Sequence, residues 1–170
     1  MNWDAAAAIA EWLGLALVVV SLVYVALQIR QNTDTVKAAT ELETARLWSE
    51  FHGRAAHSPD MVDIWDQGLT DPDSLTPTEK RRFIWFVAEY FYIVENLYRQ
   101  RHRGYLSRES WEQHENAVAG LLAHPVIQRW WLSGVSPYSD SFRRSVDRAR
   151  ENADHKSWKY SPIAGLGLVA

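Results

Sequence analysis

The stretch WLGLALVVVSLVYVAL, Trp12 to Leu27, contains no charged residue, and the wider run Ala5 to Ile29 contains one, Glu11. As a helix rising 1.5 Å per residue, the wider run covers about 37 Å, enough for a bilayer's hydrocarbon core and its edges. Eleven Leu, Val or Ile residues fall between Trp12 and Ile29. At a central position each favours insertion by roughly 0.3–0.6 kcal/mol, so together they favour it by about 3–7 kcal/mol. Val18, Val19 and Val20 are consecutive, which spreads hydrocarbon round the helix rather than along one stripe. A helix apolar all round belongs in a deep core or in lipid, and the rest of this chain is too short to enclose it. The sequence predicts a transmembrane helix.

Its flanks set the expected orientation. The N-terminal side carries Asp4 and Glu11 and no Lys or Arg, unlike the basic leader of a secretory signal peptide. The C-terminal side carries Arg30, Lys37 and Arg46. The positive-inside rule then places the C-terminal part in the cytoplasm and the short N-terminus outside, with the helix as a single pass. Trp3, Trp12 and Tyr24 suit the two membrane–water interfaces. Ala10, Gly14 and Ser21, with Ala6, form a strip of small residues that would let another helix approach closely.

Beyond Arg30 the pattern is helical throughout. Val36, Thr40, Thr44, Leu47, Trp48, Phe51 and Ala55 share one face of a helix that either prolongs the membrane helix or restarts at Asn32-Thr33-Asp34. Ser58-Pro59 starts the next, with Gly68 as its expected stop. Thr76-Pro77-Thr78-Glu79 is a capping box opening a long helix to about Arg103, closed by Gly104. Further helices are expected from Ser107 to about Ala123, from Pro125 to Leu132 and from about Ser141 to Asn152. No segment alternates like a strand. The predicted fold class is all-α, one N-terminal transmembrane helix followed by a cytoplasmic helical bundle. It divides into an anchor (1–30), a helical domain (31–155) and a tail (156–170).

Composition limits the chemistry. The chain has 170 residues, no Cys and a net charge of −3, so thiolate metal sites and a general nucleic-acid-binding face are not expected. Nine Trp point to interfaces or a heavily aromatic core. Residues 31–79 carry ten acids and three bases, net −7, whereas residues 80–170 carry nine acids and fourteen bases, net +5. That division suits intramolecular packing of two complementary halves, association between subunits, or basic residues facing anionic lipid.

The long helix embeds Glu89, Glu95 and Asn96 among aromatics that include Tyr92. Carboxylates there need partners. Glu95 precedes Arg99 by four residues, the favourable order for a helical ion pair, whereas Glu89 needs a partner from another helix. Glu89, Tyr92, Glu95, Asn96 and Arg99 are therefore the candidate binding residues, with a structural hydrogen-bond network as the competing role. A di-iron bundle would need Glu-x-x-His pairs, and Glu50-Phe51-His52 and Glu112-Gln113-His114 have the wrong spacing. Asp60, Asp63, Asp66, Asp71 and Asp73 lack a calcium loop's order. No catalytic triad, phosphate loop, metal ligand set or cofactor motif is present.

The chain resembles an uncharacterised family of small, single-span proteobacterial membrane proteins. The likeness rests on Ala26-Leu27-Gln28-Ile29-Arg30-Gln31-Asn32-Thr33, Ile64-Trp65, Gly68-Leu69, and Asp71-Pro72-Asp73-Ser74-Leu75. It continues through Glu95-Asn96-Leu97-Tyr98, Gly104-Tyr105-Leu106 with Trp111, Trp130-Trp131, Ser141-Phe142-Arg143 and Val146-Asp147, covering roughly residues 9–150. The resemblance implies membrane location and an all-helical domain. It carries no activity, ligand or catalytic residue.

The expected function is therefore that of a membrane-anchored, non-enzymatic interaction protein, a homo-oligomeric scaffold or an accessory subunit of an inner-membrane assembly. Its expected partners are the lipid bilayer and either itself or another membrane protein. The alternatives are a helical module that binds or senses a small apolar or lipid-like ligand and, third, an enzyme using Glu89 or Glu95.

Overall fold

Side-chain caps open two of the helices, and glycines of positive φ follow two. A computed structural model describes residues 3–135 and 137–152, without the side chains of residues 3–6, 8–10 and 152. Among them lie six helices: α1 (Trp3–Ala56), α2 (Pro59–Thr70), α3 (Pro77–His102), α4 (Arg108–Leu121), α5 (Pro125–Leu132) and α6 (Asp140–Asn152). No strand occurs among the described residues. The fold is all-α, with one long apolar helix at the N-terminus. The expected tail 156–170 and the side chains of Trp3 and Ala10 lie outside the described residues.

At α3 the Thr76 hydroxyl accepts the Glu79 N–H at 3.3 Å while the Glu79 carboxylate accepts the Thr76 N–H at 2.8 Å. The Thr76 hydroxyl and backbone hold the Glu79 carboxyl below its usual range. Ser107 opens α4 by accepting the Ser110 N–H at 3.1 Å. Gly104 and Gly134 take positive φ of 78° and 69° after α3 and α5, a conformation that a side chain would strain.

The Asn32-Thr33-Asp34 cluster forms no cap. Thr33 and Thr35 hydroxyls instead donate to the carbonyls of Ile29 and Gln31, four residues back, both at 2.9 Å. Hydroxyls used in that way leave the helix uninterrupted. Of the two alternatives for this region, α1 follows the continuous one.

Gly68 corrects the reading made from sequence. It does not stop α2, which runs on to Thr70. It is buried, and a Cβ there would come closer than 3.0 Å to the Phe83 ring of α3. The glycine is a point of close approach between two helices.

The chain divides into two units, Met1–Glu41 and Leu42–Ala170. The boundary falls inside α1 because Thr44 and Phe51 are the first fully buried positions on that helix. Val36, expected on the same packed face, is 42% exposed. It precedes the point at which the helix gains neighbours.

In the first unit every residue from Glu11 to Asn32 is exposed. Among the described residues, α1 alone is long and apolar enough to cross a membrane. In the second unit, Val87, Phe91, Val94 and Leu97 of α3 form the spine of the core. Val118, Leu122, Ile127, Trp131, Phe142 and Val146 pack round it from α4 and its C-cap, α5 and α6. Each large apolar side chain buried there contributes about 1.5–3 kcal/mol. Trp111 and Trp131 are buried, Trp48, Trp65 and Trp130 are partly buried, and Trp12 and Trp85 are exposed. Five of the nine Trp thus serve the core.

Candidate functional site

The five candidate residues on α3 separate into three environments. Glu95 is buried, and its Oε1 accepts from the Arg99 guanidinium at 3.0 Å and from the Ser139 backbone N–H at 2.9 Å. Ser139 immediately precedes α6, and its carbonyl accepts the Arg143 N–H at 2.9 Å, the first turn of that helix. The carboxylate therefore sits at a helix N-terminus, where negative charge is favoured. One residue earlier, the Tyr138 hydroxyl donates to the Ala88 carbonyl at 3.0 Å. The Tyr92 and Tyr138 ring centroids are 5.1 Å apart. The segment before α6 is thus fastened along α3 over nearly two turns.

Glu89 belongs to a different place. It pairs with Arg54 near the end of α1, and both side chains are about half exposed. Asn96 points outward and accepts from Gln100 at 3.1 Å. The geometry does not bring Glu89, Glu95 and Asn96 to one site.

Burial pushes the Glu95 carboxyl up, but the Ser139 N–H and hydroxyl, followed by Arg99, outweigh it and hold the group below its usual range. A carboxylate so held is a weak base and a poor proton donor near neutrality. Its partners are those of a structural tie. Ser139, Tyr138 and Arg54 were not singled out from sequence. Ser139 carried the one usable signal, a Ser directly ahead of a helical segment whose start was expected two residues later.

A second cluster joins the last turns of α1 to α3 and α4. The Trp48 indole stacks with His114 of α4 at 5.5 Å between centroids and 9° between planes, and with His52 at 5.6 Å and 23°. Tyr90 of α3 meets it edge-on at 5.3 Å. Burial lowers the His114 pKa and raises that of Tyr90. Among the described residues no group of three or more His, Asp or Glu is placed to hold a metal. A crevice lined by residues including Val94, Trp111, Glu115 and Val146 leaves no room even for a water molecule, far short of the roughly 300–1,000 Å³ of small-molecule sites.

Part of the charge division is spent within the fold. Lys80 lies 3.5 Å from Asp73 and Arg82 lies 3.9 Å from Asp60, each pair joining the acidic stretch to the basic one. Within the basic stretch, Arg108 also pairs with Glu112 at 2.6 Å, and Arg143 lies 5.2 Å from the centroid of the Trp131 ring.

The remaining candidate surface is on α1. Gly14 has no atom within 4 Å of where a Cβ would stand, and Ser21 donates to the Leu17 carbonyl at 2.8 Å. Leu13, Leu17, Val20, Leu22 and Leu27 are each more than half exposed. Comparison of the chain with family models, curated proteins and solved structures returned no match.

Proposed function

We propose that this protein is a membrane-anchored, non-enzymatic interaction protein, acting as a homo-oligomeric scaffold or as an accessory subunit of an inner-membrane assembly. One observation carries the reading: residues 11–32 of α1 are exposed on every side, and most of them are large and apolar. A contiguous apolar surface of that extent is unstable in water and stable in lipid. The domain beyond Arg30 is cytoplasmic, following Arg30, Lys37 and Arg46. Membership of the single-span proteobacterial family belongs to the same proposal. The engaged state of Glu95 supports a structural role for the polar residues of α3 rather than a catalytic one.

A reporter fused after residue 160 tests the orientation. Cytoplasmic activity is expected, and periplasmic activity would reverse the assignment. Deleting residues 1–29 is expected to release the remainder from carbonate-washed membranes. Retention there would mean that the helical domain carries its own anchor.

A further inference from the structure

The second unit has a basic end and an acidic one. Phe51 of α1 stacks on Phe86 of α3 at 4.3 Å between centroids, and Trp48 meets Tyr90 at 5.3 Å. Three positions back along α1 match four positions forward along α3, so the two segments run antiparallel. At equal rise per residue, Leu42, where the unit begins, stands level with about Leu97. The last turn of α3 runs past that level. The end by which the chain enters the unit therefore carries Arg99, Arg101, His102 and Arg103, followed by Arg108 at the start of α4. At the opposite end of α3, Asp71 and Asp73 are exposed in the loop before Pro77.

The backbone beneath the arginines is fixed. The Gly104 N–H donates to the Arg101 carbonyl and the Tyr105 N–H to the Gln100 carbonyl, at 3.1 and 3.0 Å, and Leu106 is buried in the core. Residues 99–108 hold four Arg and no acid, and Glu109 and Glu112 follow. Arg99 and Arg108 keep side chains 60% and 80% exposed even though each pairs with a Glu. Arg103 is exposed, and neither it nor Arg101 has an ion pair among the described residues. The C-terminal dipole of a helix amounts to about half a charge, which these arginines exceed.

We propose that this end docks on the anionic headgroups of the bilayer in which α1 is anchored. The proposal rests on the membrane-spanning reading above and names the surface that the domain meets. Residues 31–41 alone join Arg30 to the basic end, so the tether is attached at the arginines and not at the acidic loop. An anionic surface attracts the one end and repels the other. Guanidinium groups match phosphate oxygens with two parallel hydrogen bonds, and each basic residue near such a surface strengthens binding about fivefold.

The chain has no Cys, so one introduced thiol carries one label. Full-length protein bears a fluorophore at His102→Cys or, at the other end of α3, at Thr78→Cys. It is reconstituted into vesicles of phosphatidylcholine alone, or of phosphatidylcholine and phosphatidylglycerol in equal parts, with a trace lipid carrying a quencher on its headgroup. The label at position 102 is expected to be quenched more strongly in the anionic vesicles, and the label at position 78 equally in both. Arg101→Gln with Arg103→Gln removes two charges from outside the core. It is expected to lower the ratio of docked to free domains about 25-fold and to leave the unfolding temperature unchanged. Salt at about 0.5 M, which needs no variant, should release the domain as well. Quenching at position 102 that ignores lipid charge, as it would if the cluster served an acidic protein partner, would overturn the docking. Quenching that survives both salt and the double variant would overturn it too. Release of the full-length chain by carbonate would instead overturn the membrane-spanning reading.

Discussion

The Glu95 carboxylate accepts the Ser139 backbone N–H at 2.9 Å across 44 positions of sequence. That one bond does three things. It satisfies a buried charge, occupies the N-terminus of α6, and holds the segment containing Tyr138 against α3. Arg99 completes the arrangement from one turn further along the same helix.

Replacing Glu95 by Gln removes the charge from both bonds while keeping the shape. The expected loss is about 1–3 kcal/mol of stability in denaturant titrations of the detergent-solubilised protein. Glu89→Gln is the contrast. Its partner Arg54 is half exposed, so the expected change is below about 1 kcal/mol. The folded-state pKa of Glu95 is lowered, so its contribution is present above the ordinary carboxyl pKa of 4.5 and is lost as pH falls through the folded value. Wild type should accordingly lose more stability than Glu95→Gln on acidification below about pH 4.5. Equal losses would show that the carboxylate is not held as the geometry indicates.

Gly68→Ala and Gly53→Ala are chemically identical substitutions with opposite expected signs. At Gly68 the new methyl group meets the Phe83 ring closer than 3.0 Å, and the rearrangement costs about 1–3 kcal/mol. At Gly53 the nearest atom is the His57 ring at 3.8 Å, an ordinary contact with the residue just past the end of α1. Removing backbone freedom there stabilises by about 0.5–1 kcal/mol. Thermal denaturation of the two variants measures both signs.

His114 supplies a pH dependence of defined direction. Burial lowers its pKa in the folded protein, so the unfolded chain binds a proton first. Stability is full above the ordinary value of 6.5 and declines as pH falls below it. His124 contributes in the same direction, again through burial. His114→Phe keeps a ring to stack on Trp48 but cannot titrate. The slope of stability against pH between about 7 and 5 should flatten without vanishing, and an unchanged slope would remove His114 as its source.

Gly14→Leu adds bulk to the exposed face of α1 and leaves insertion as favourable as before. It is expected to weaken self-association or co-purification of a partner, whereas Val19→Leu, on another face, should leave both unchanged. Chemical cross-linking in membranes distinguishes the two variants. Identical behaviour would move the interface to the helical domain.

The sequence by itself determined what depends on neighbours along the chain. Val18, Val19 and Val20 make a helix apolar all round through composition alone. Thr76 and Glu79 cap α3 through a spacing of three. Glu95 finds Arg99 through a spacing of four. Tertiary structure decided what depends on residues far apart. Gly68 has the local signature of a helix stop, and only the Phe83 ring, 15 positions away, makes it an internal packing glycine. Glu89 takes its cation from Arg54, 35 positions back, and Glu95 takes its second donor from Ser139, 44 positions on. Periodicity records which face of a helix is buried, but it does not record which element does the burying. That choice is made by side-chain shape and by the need of each buried charge for a partner, and both are settled only when the helices meet.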